Sequence, residues 1–108
     1  MQRPKEYTVH EVAEMLRSPN PPRLLDVREQ AEWNLVHLEH GQLLTEPVLD
    51  EIISDWAPET PIVCYCHHGV RSLNAAAFLQ QQGFTQVGSM RGGIDAWALE
   101  IDPSLPRY

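Results

Sequence analysis

The sequence predicts an α/β domain with a mainly parallel central sheet flanked by helices in three layers. Two observations carry this. Short apolar runs alternate along the chain with segments whose apolar residues recur at helical intervals, and each run is bounded by proline, glycine or charge. Asp26, Cys66 and Arg91 then fall where such runs end, and in parallel sheets sites gather at the C-terminal ends of strands.

Taken in order, Thr8-Val9-His10-Glu11 has capping-box spacing, and Val9, Val12, Ala13 and Leu16 follow at helical intervals until Ser18-Pro19-Asn20-Pro21-Pro22 ends the helix. Arg23 to Val27 reads as a buried strand ending near Asp26, and Arg28 to Trp33 as a short helical turn. Between His37 and Leu44 the pattern is weakest, with Leu43-Leu44 the best strand candidate. Thr45-Glu46-Pro47 then opens a helix in which Leu49, Ile52, Ile53 and Trp56 form an apolar stripe. Residues 61–66 form the next strand, followed by a helix running to Gln82 and closed by Gly83. Gln86 to Met90 is a last strand, and Arg91-Gly92-Gly93 turns into a final helix containing Ile94, Trp97 and Ala98.

A chain of 108 residues with 43% hydrophobic composition suits one domain spanning 1–108, with a core of its own. Its apolar runs fall far short of the roughly 20 residues of a membrane helix. No apolar stretch follows Arg3 and Lys5, so no secretory signal is read and a cytoplasmic location is expected. A net charge of −7 argues against nucleic acid and membrane surfaces as partners. The two cysteines, Cys64 and Cys66, share one strand face and cannot readily bridge, which suits a reducing compartment.

Cys66 leaves a strand and enters a helix through His67-His68-Gly69-Val70-Arg71-Ser72. Such a turn directs unpaired N–H groups at the sulfur, and Gly69 permits a backbone shape that other residues resist. A free thiol near pKa 8.5 must fall by about two units, roughly 2.7 kcal/mol, to be mostly thiolate at neutral pH. One helix N-terminus supplies about 0.3–1 kcal/mol, so loop N–H groups and the Arg71 cation must share the work.

Three ordered segments, Leu25-Asp26-Val27-Arg28-Glu29-Gln30-Ala31-Glu32-Trp33, the Cys66–Ser72 loop and Arg91-Gly92-Gly93-Ile94-Asp95-Ala96-Trp97, resemble the rhodanese-homology family of single-domain sulfurtransferases. The resemblance implies that Cys66 takes sulfane sulfur from a donor such as thiosulfate as a persulfide and passes it to a thiol or cyanide, without a cofactor. It implies a substrate-binding loop of His67, His68, Gly69, Val70, Arg71 and Ser72, with Asp26 and Arg28 in support. The partners implied are a small sulfur donor, a thiol acceptor and a sulfur-accepting protein. One departure follows His37, where the family carries His-Ile-Pro-Gly-Ala and this chain has His37-Leu38-Glu39-His40-Gly41-Gln42, without the proline, which would reshape a pocket wall.

Other readings of these residues are open. Arg71 suits a donor oxyanion or, equally, an ion pair with Glu32. His67 and His68 could lend charge, though exposed residues supplying only backbone N–H groups are the simpler account. Zinc on Cys64, Cys66, His67 and His68 is disfavoured because neighbours on one tight turn seldom converge tetrahedrally. Cys64 reads as a buried strand residue or a resolving thiol, and Arg91 as part of a positive patch or an exposed turn. Trp33, Trp56 and Trp97 read as core. The rival functions are a phosphatase or arsenate reductase on the same fold, whose Cys-to-Arg loop carries five intervening residues against four here, and a non-catalytic sulfur carrier or redox module.

Overall fold

The structure is a computed structural model, and it describes residues 3–108. Its sheet is wholly parallel, with strands β1 (Lys5–Tyr7), β2 (Arg23–Asp26), β3 (Gly41–Leu43), β4 (Ile62–Tyr65) and β5 (Val87–Met90) in the order β1-β5-β4-β2-β3. Helices α1 (Val9–Leu16), α2 (Gln30–Leu35), α3 (Glu46–Asp55), α4 (Val70–Gln81) and α5 (Gly93–Glu100) alternate with the strands. No helix among the described residues is long and apolar enough to cross a membrane.

Both faces of the central strands are buried, so their sequences are continuously apolar. Successive side chains point opposite ways, which splits the core in two. Leu24, Val63, Tyr65 and Met90 pack with Val9 and Val12 of α1 and Ile94 of α5 on one face. Leu25, Ile62, Cys64 and Val87 pack with Ile52 of α3 and Ala76 and Leu79 of α4 on the other.

The capping box at Thr8 forms as its spacing predicts: Glu11 N–H donates to the Thr8 hydroxyl at 3.1 Å and Thr8 N–H to the Glu11 carboxylate at 2.8 Å. Thr45 caps α3 with Pro47 in its first turn. Several expectations need correction. Strand β1 has no apolar signature because it is an edge strand, tied to β5 chiefly through its backbone, with Lys5 and Glu6 exposed. The turn after Arg28 is a helix displaced to Gln30–Leu35, and β3 begins at Gly41, ahead of Leu43. Ile53 is exposed, because the buried stripe of α3 centres on Ile52. The three tryptophans are half-buried: Trp33 stacks on His37 with ring centroids 3.8 Å apart, and Arg23 sits 3.9 Å over Trp56.

Candidate active site

The carboxyl ends of β2 and β4, adjacent in the sheet, bring Asp26 and Cys66 to one edge. Cys66 follows β4, and the chain crosses to α4 through Gly69, whose φ of 114° lies in the left-handed region that glycine tolerates. This turn folds the loop around the sulfur. Gly69 N–H donates to Cys66 Sγ at 3.0 Å and Ser72 N–H at 3.3 Å, while the Ser72 hydroxyl lies 3.4 Å away. His68 N–H is a further backbone donor to the sulfur.

Burial pushes the Cys66 thiol up, since the residue is only 1% exposed, but the hydrogen bonds from Ser72, Gly69 and His68 together outweigh it and leave the thiol below its ordinary value. Among the stabilising groups the Ser72 hydroxyl and the loop N–H groups lead, and the Arg71 cation and the Cys66 sulfur also attract one another. Beneath the sulfur, Ser72 Oγ also donates to the Gly69 carbonyl at 3.2 Å and meets Ser89 Oγ at 2.7 Å, both hydroxyls being buried. Ser89 is a neighbour that sequence reasoning missed, and one serine on a strand carries no signal of it.

The loop is clamped from its other side. Ile94 N–H and Asp95 N–H, at the start of α5, donate to the carbonyls of Cys66 and His67 at 2.9 and 3.2 Å. With those carbonyls turned toward α5, the amides of the loop remain for the sulfur. Gly93 allows this approach: a Cβ there would lie 2.3 Å from the His67 carbonyl oxygen.

Arg71 makes a two-pronged ion pair with Glu32 of α2, at 2.7 and 2.9 Å, the bracing arrangement foreseen as one of its two readings. The pair holds the Glu32 carboxyl far below the usual carboxylate range, Arg71 contributing most and Tyr108 also. Asp26 and Arg28 are both buried and paired through Nε–Oδ1 at 2.9 Å and Nη2–Oδ2 at 2.6 Å. Arg28 also donates to the Val36 carbonyl at 2.7 Å, fastening the end of α2 to β2.

Of the two histidines expected to be exposed, only His68 is. The His67 ring is half-buried, stacked on Tyr108 at 4.0 Å. Val70 is 72% exposed beside the loop. Arg91 is exposed at the end of β5 and acts on Glu11. Cys64 lies in the core under α4, where burial pushes its thiol up to about 12, so it is protonated at neutral pH and unsuited to resolve a Cys66 disulfide. The departing segment after His37 lines a cavity of about 340 Å³ with Trp97, Ile101 and Leu105, and no residue of the 66–72 loop borders it.

Among known proteins, residues 8–100 match the model of the rhodanese-like domain. Thiosulfate sulfurtransferase GlpE of Actinobacillus pleuropneumoniae is 32% identical over 92 residues, covering 85% of this chain and 84% of that protein. A probable adenylyltransferase/sulfurtransferase, MoeZ, of Mycobacterium tuberculosis is 33% identical over 103 residues; the match takes in 94% of this chain and 26% of MoeZ, about a quarter of its length. The crystal structure of a rhodanese-like domain protein from Staphylococcus aureus superposes with a TM-score of 0.77 at 22% identity, covering 96% and 98% of the two chains.

Proposed function

Because this chain belongs to the rhodanese-like domain family and its relatives include sulfurtransferases, we propose that it moves sulfane sulfur through a persulfide on Cys66, in the cytoplasm and as one domain over 1–108. The observation that carries the reading is the donor set at Cys66 Sγ, which favours a thiolate in a buried position. The Cys66 thiolate attacks the outer sulfur of thiosulfate. A bond from Sγ to that sulfur forms, the sulfur–sulfur bond of the donor breaks, and sulfite leaves with the electron pair. The outer sulfur then carries the negative charge, and loop N–H groups from His68 to Ser72 hold it. A thiolate or cyanide attacks it next, restoring the Cys66 thiolate and releasing a new persulfide or thiocyanate. Two displacements on one nucleophile give ping-pong kinetics.

Arg71 is a cation of this loop held in place by Glu32, and we assign it the sulfonate end of the donor while it remains anchored there. Val70, exposed on the rim, meets the donor or the acceptor. Four residues between Cys66 and Arg71 make a tighter loop than the five of phosphatases on this fold, which favours sulfur over phosphorus or arsenic. The test is intact mass after thiosulfate, with thiocyanate formation on adding cyanide. One added sulfur on the wild type and none on Cys66→Ser is the expected result. Release of phosphate from p-nitrophenyl phosphate with no thiocyanate would overturn the assignment, and sulfur uptake with transfer only to a protein thiol would make the chain a carrier.

A further inference from the structure

The segment after α5 reaches back across the active-site loop, and it lies outside the residues matched to the family model. Arg107 pairs with Asp95 at 2.9 Å, and Tyr108 covers the His67 ring at an interplanar angle of 10°. Beneath this stack His67 Nε2 is buried without a hydrogen-bond partner among the described residues. The Tyr108 hydroxyl accepts from Arg28 Nη1 at 2.9 Å and donates to Glu32 Oε2 at 2.6 Å. Glu32 Oε2 is also the oxygen that accepts from Arg71 Nη2. The result is a continuous chain of alternating partners, Asp26–Arg28–Tyr108–Glu32–Arg71, running from the buried strand end to the rim of the loop.

We propose that Tyr108 is a positioning residue that sets how much positive charge Arg71 presents to an anionic donor, an inference that rests on the reading of Arg71 given above. By donating to Glu32, the phenol occupies accepting capacity that the carboxylate would otherwise turn on Arg71, and it bridges the carboxylate to Arg28. Without the hydroxyl that bridge is lost, and Glu32 Oε2, already on Arg71 Nη2, keeps its whole accepting capacity for Arg71 and neutralises it more fully. The ring alone would preserve the cover over His67.

Tyr108→Phe tests this, because it deletes the hydroxyl and keeps the ring. The readout is the ratio of Cys66 alkylation rates by iodoacetate, an anion, and iodoacetamide, its neutral counterpart, with the site of modification verified by mass. The thiolate fraction cancels in that ratio, leaving the local charge, and the measurement needs no sulfur transfer. The ratio is expected to fall roughly three- to tenfold, within the scale of one ordinary hydrogen bond because the hydroxyl acts on Arg71 only through Glu32, with Arg71→Ala falling at least as far. The KM for thiosulfate should rise in step. An unchanged or higher ratio in Tyr108→Phe, with Arg71→Ala lowered, overturns the proposal. An unchanged ratio in Arg71→Ala overturns it too, by removing the cation it depends on. If the ratios fall but no variant or wild type takes up sulfur, the positioning role stands and the sulfurtransferase reading fails.

Discussion

Replacing Ser72 with alanine removes one of the groups that hold the Cys66 sulfur in its charged form, and the size of the effect follows from the geometry. The sulfur accepts from Gly69 N–H at 3.0 Å and Ser72 N–H at 3.3 Å; the Ser72 hydroxyl, 3.4 Å away, accepts from the neutral thiol and must turn its one proton from the Gly69 carbonyl to the sulfur once the thiolate forms, and the substitution deletes only this last bond. A hydrogen bond to a charged group contributes about 1.5–3 kcal/mol, and the long contact places this one at the low end, near one pKa unit at about 1.36 kcal/mol per unit. Losing a donor to the anion raises the Cys66 pKa. The iodoacetamide alkylation rate should therefore fall about tenfold at pH values below both pKa values and be unchanged above both. The substitution also orphans the Ser89 hydroxyl, whose hydrogen-bond partner is Ser72 at 2.7 Å, at a cost of about 1–3 kcal/mol in urea unfolding. Adding Ser89→Ala removes the orphan, so the double variant should regain stability while keeping the raised pKa. An unshifted alkylation profile in Ser72→Ala, or one restored in the double variant, would refute the reasoning.

Other substitutions separate scaffold from chemistry. Gly93→Ala places a Cβ 2.4 Å from the Cys66 carbonyl oxygen on a backbone with φ of 63°, and should cost at least about 3 kcal/mol in urea unfolding, together with sulfur uptake. Asp26→Asn strands the buried Arg28 cation and should cost about 3–5 kcal/mol by the same measurement. Glu32 has a depressed folded pKa, so its stabilisation is present above the ordinary carboxylate value, about 4.3, and is lost as pH falls through the folded one. The Tm gap between wild type and Glu32→Gln should accordingly be widest near pH 7 and shrink toward pH 2. Cys64→Ala should leave the mass gained from thiosulfate unchanged; loss of that mass in a folded variant would restore a role to Cys64.

The alternation of strands and helices was readable because burial on both faces of a parallel sheet forces unbroken apolar runs such as Ile62-Val63-Cys64-Tyr65. The turn at Gly69 was equally readable, since its backbone requirement selects glycine. What stayed hidden depends on backbone pairing or on distance along the chain. β1 is stabilised by hydrogen bonds that any side chains permit, so Lys5 and Glu6 disguise it. Ser89 reaches Ser72 only because β5 lies beside β4, and Tyr108 meets Glu32 across 76 positions of sequence. The resemblance in Asp26-Val27-Arg28 located the supporting pair but could not say that Arg28 fastens α2 and Tyr108 at once.

The clamp of α5 on the cysteine loop bears on how such a site can diversify. The amides of Ile94 and Asp95 are spaced by the helix itself, and they meet two consecutive carbonyls, those of Cys66 and His67. A fifth intervening residue, inserted between Cys66 and Gly69, would slide one carbonyl off its amide and press the backbone into Gly93, where there is no clearance to give. Conversion to an oxyanion-sized loop is thus not a single insertion. It requires α5 to re-dock at the same time, a coupled change that keeps the loop at its present length as the surrounding surface drifts.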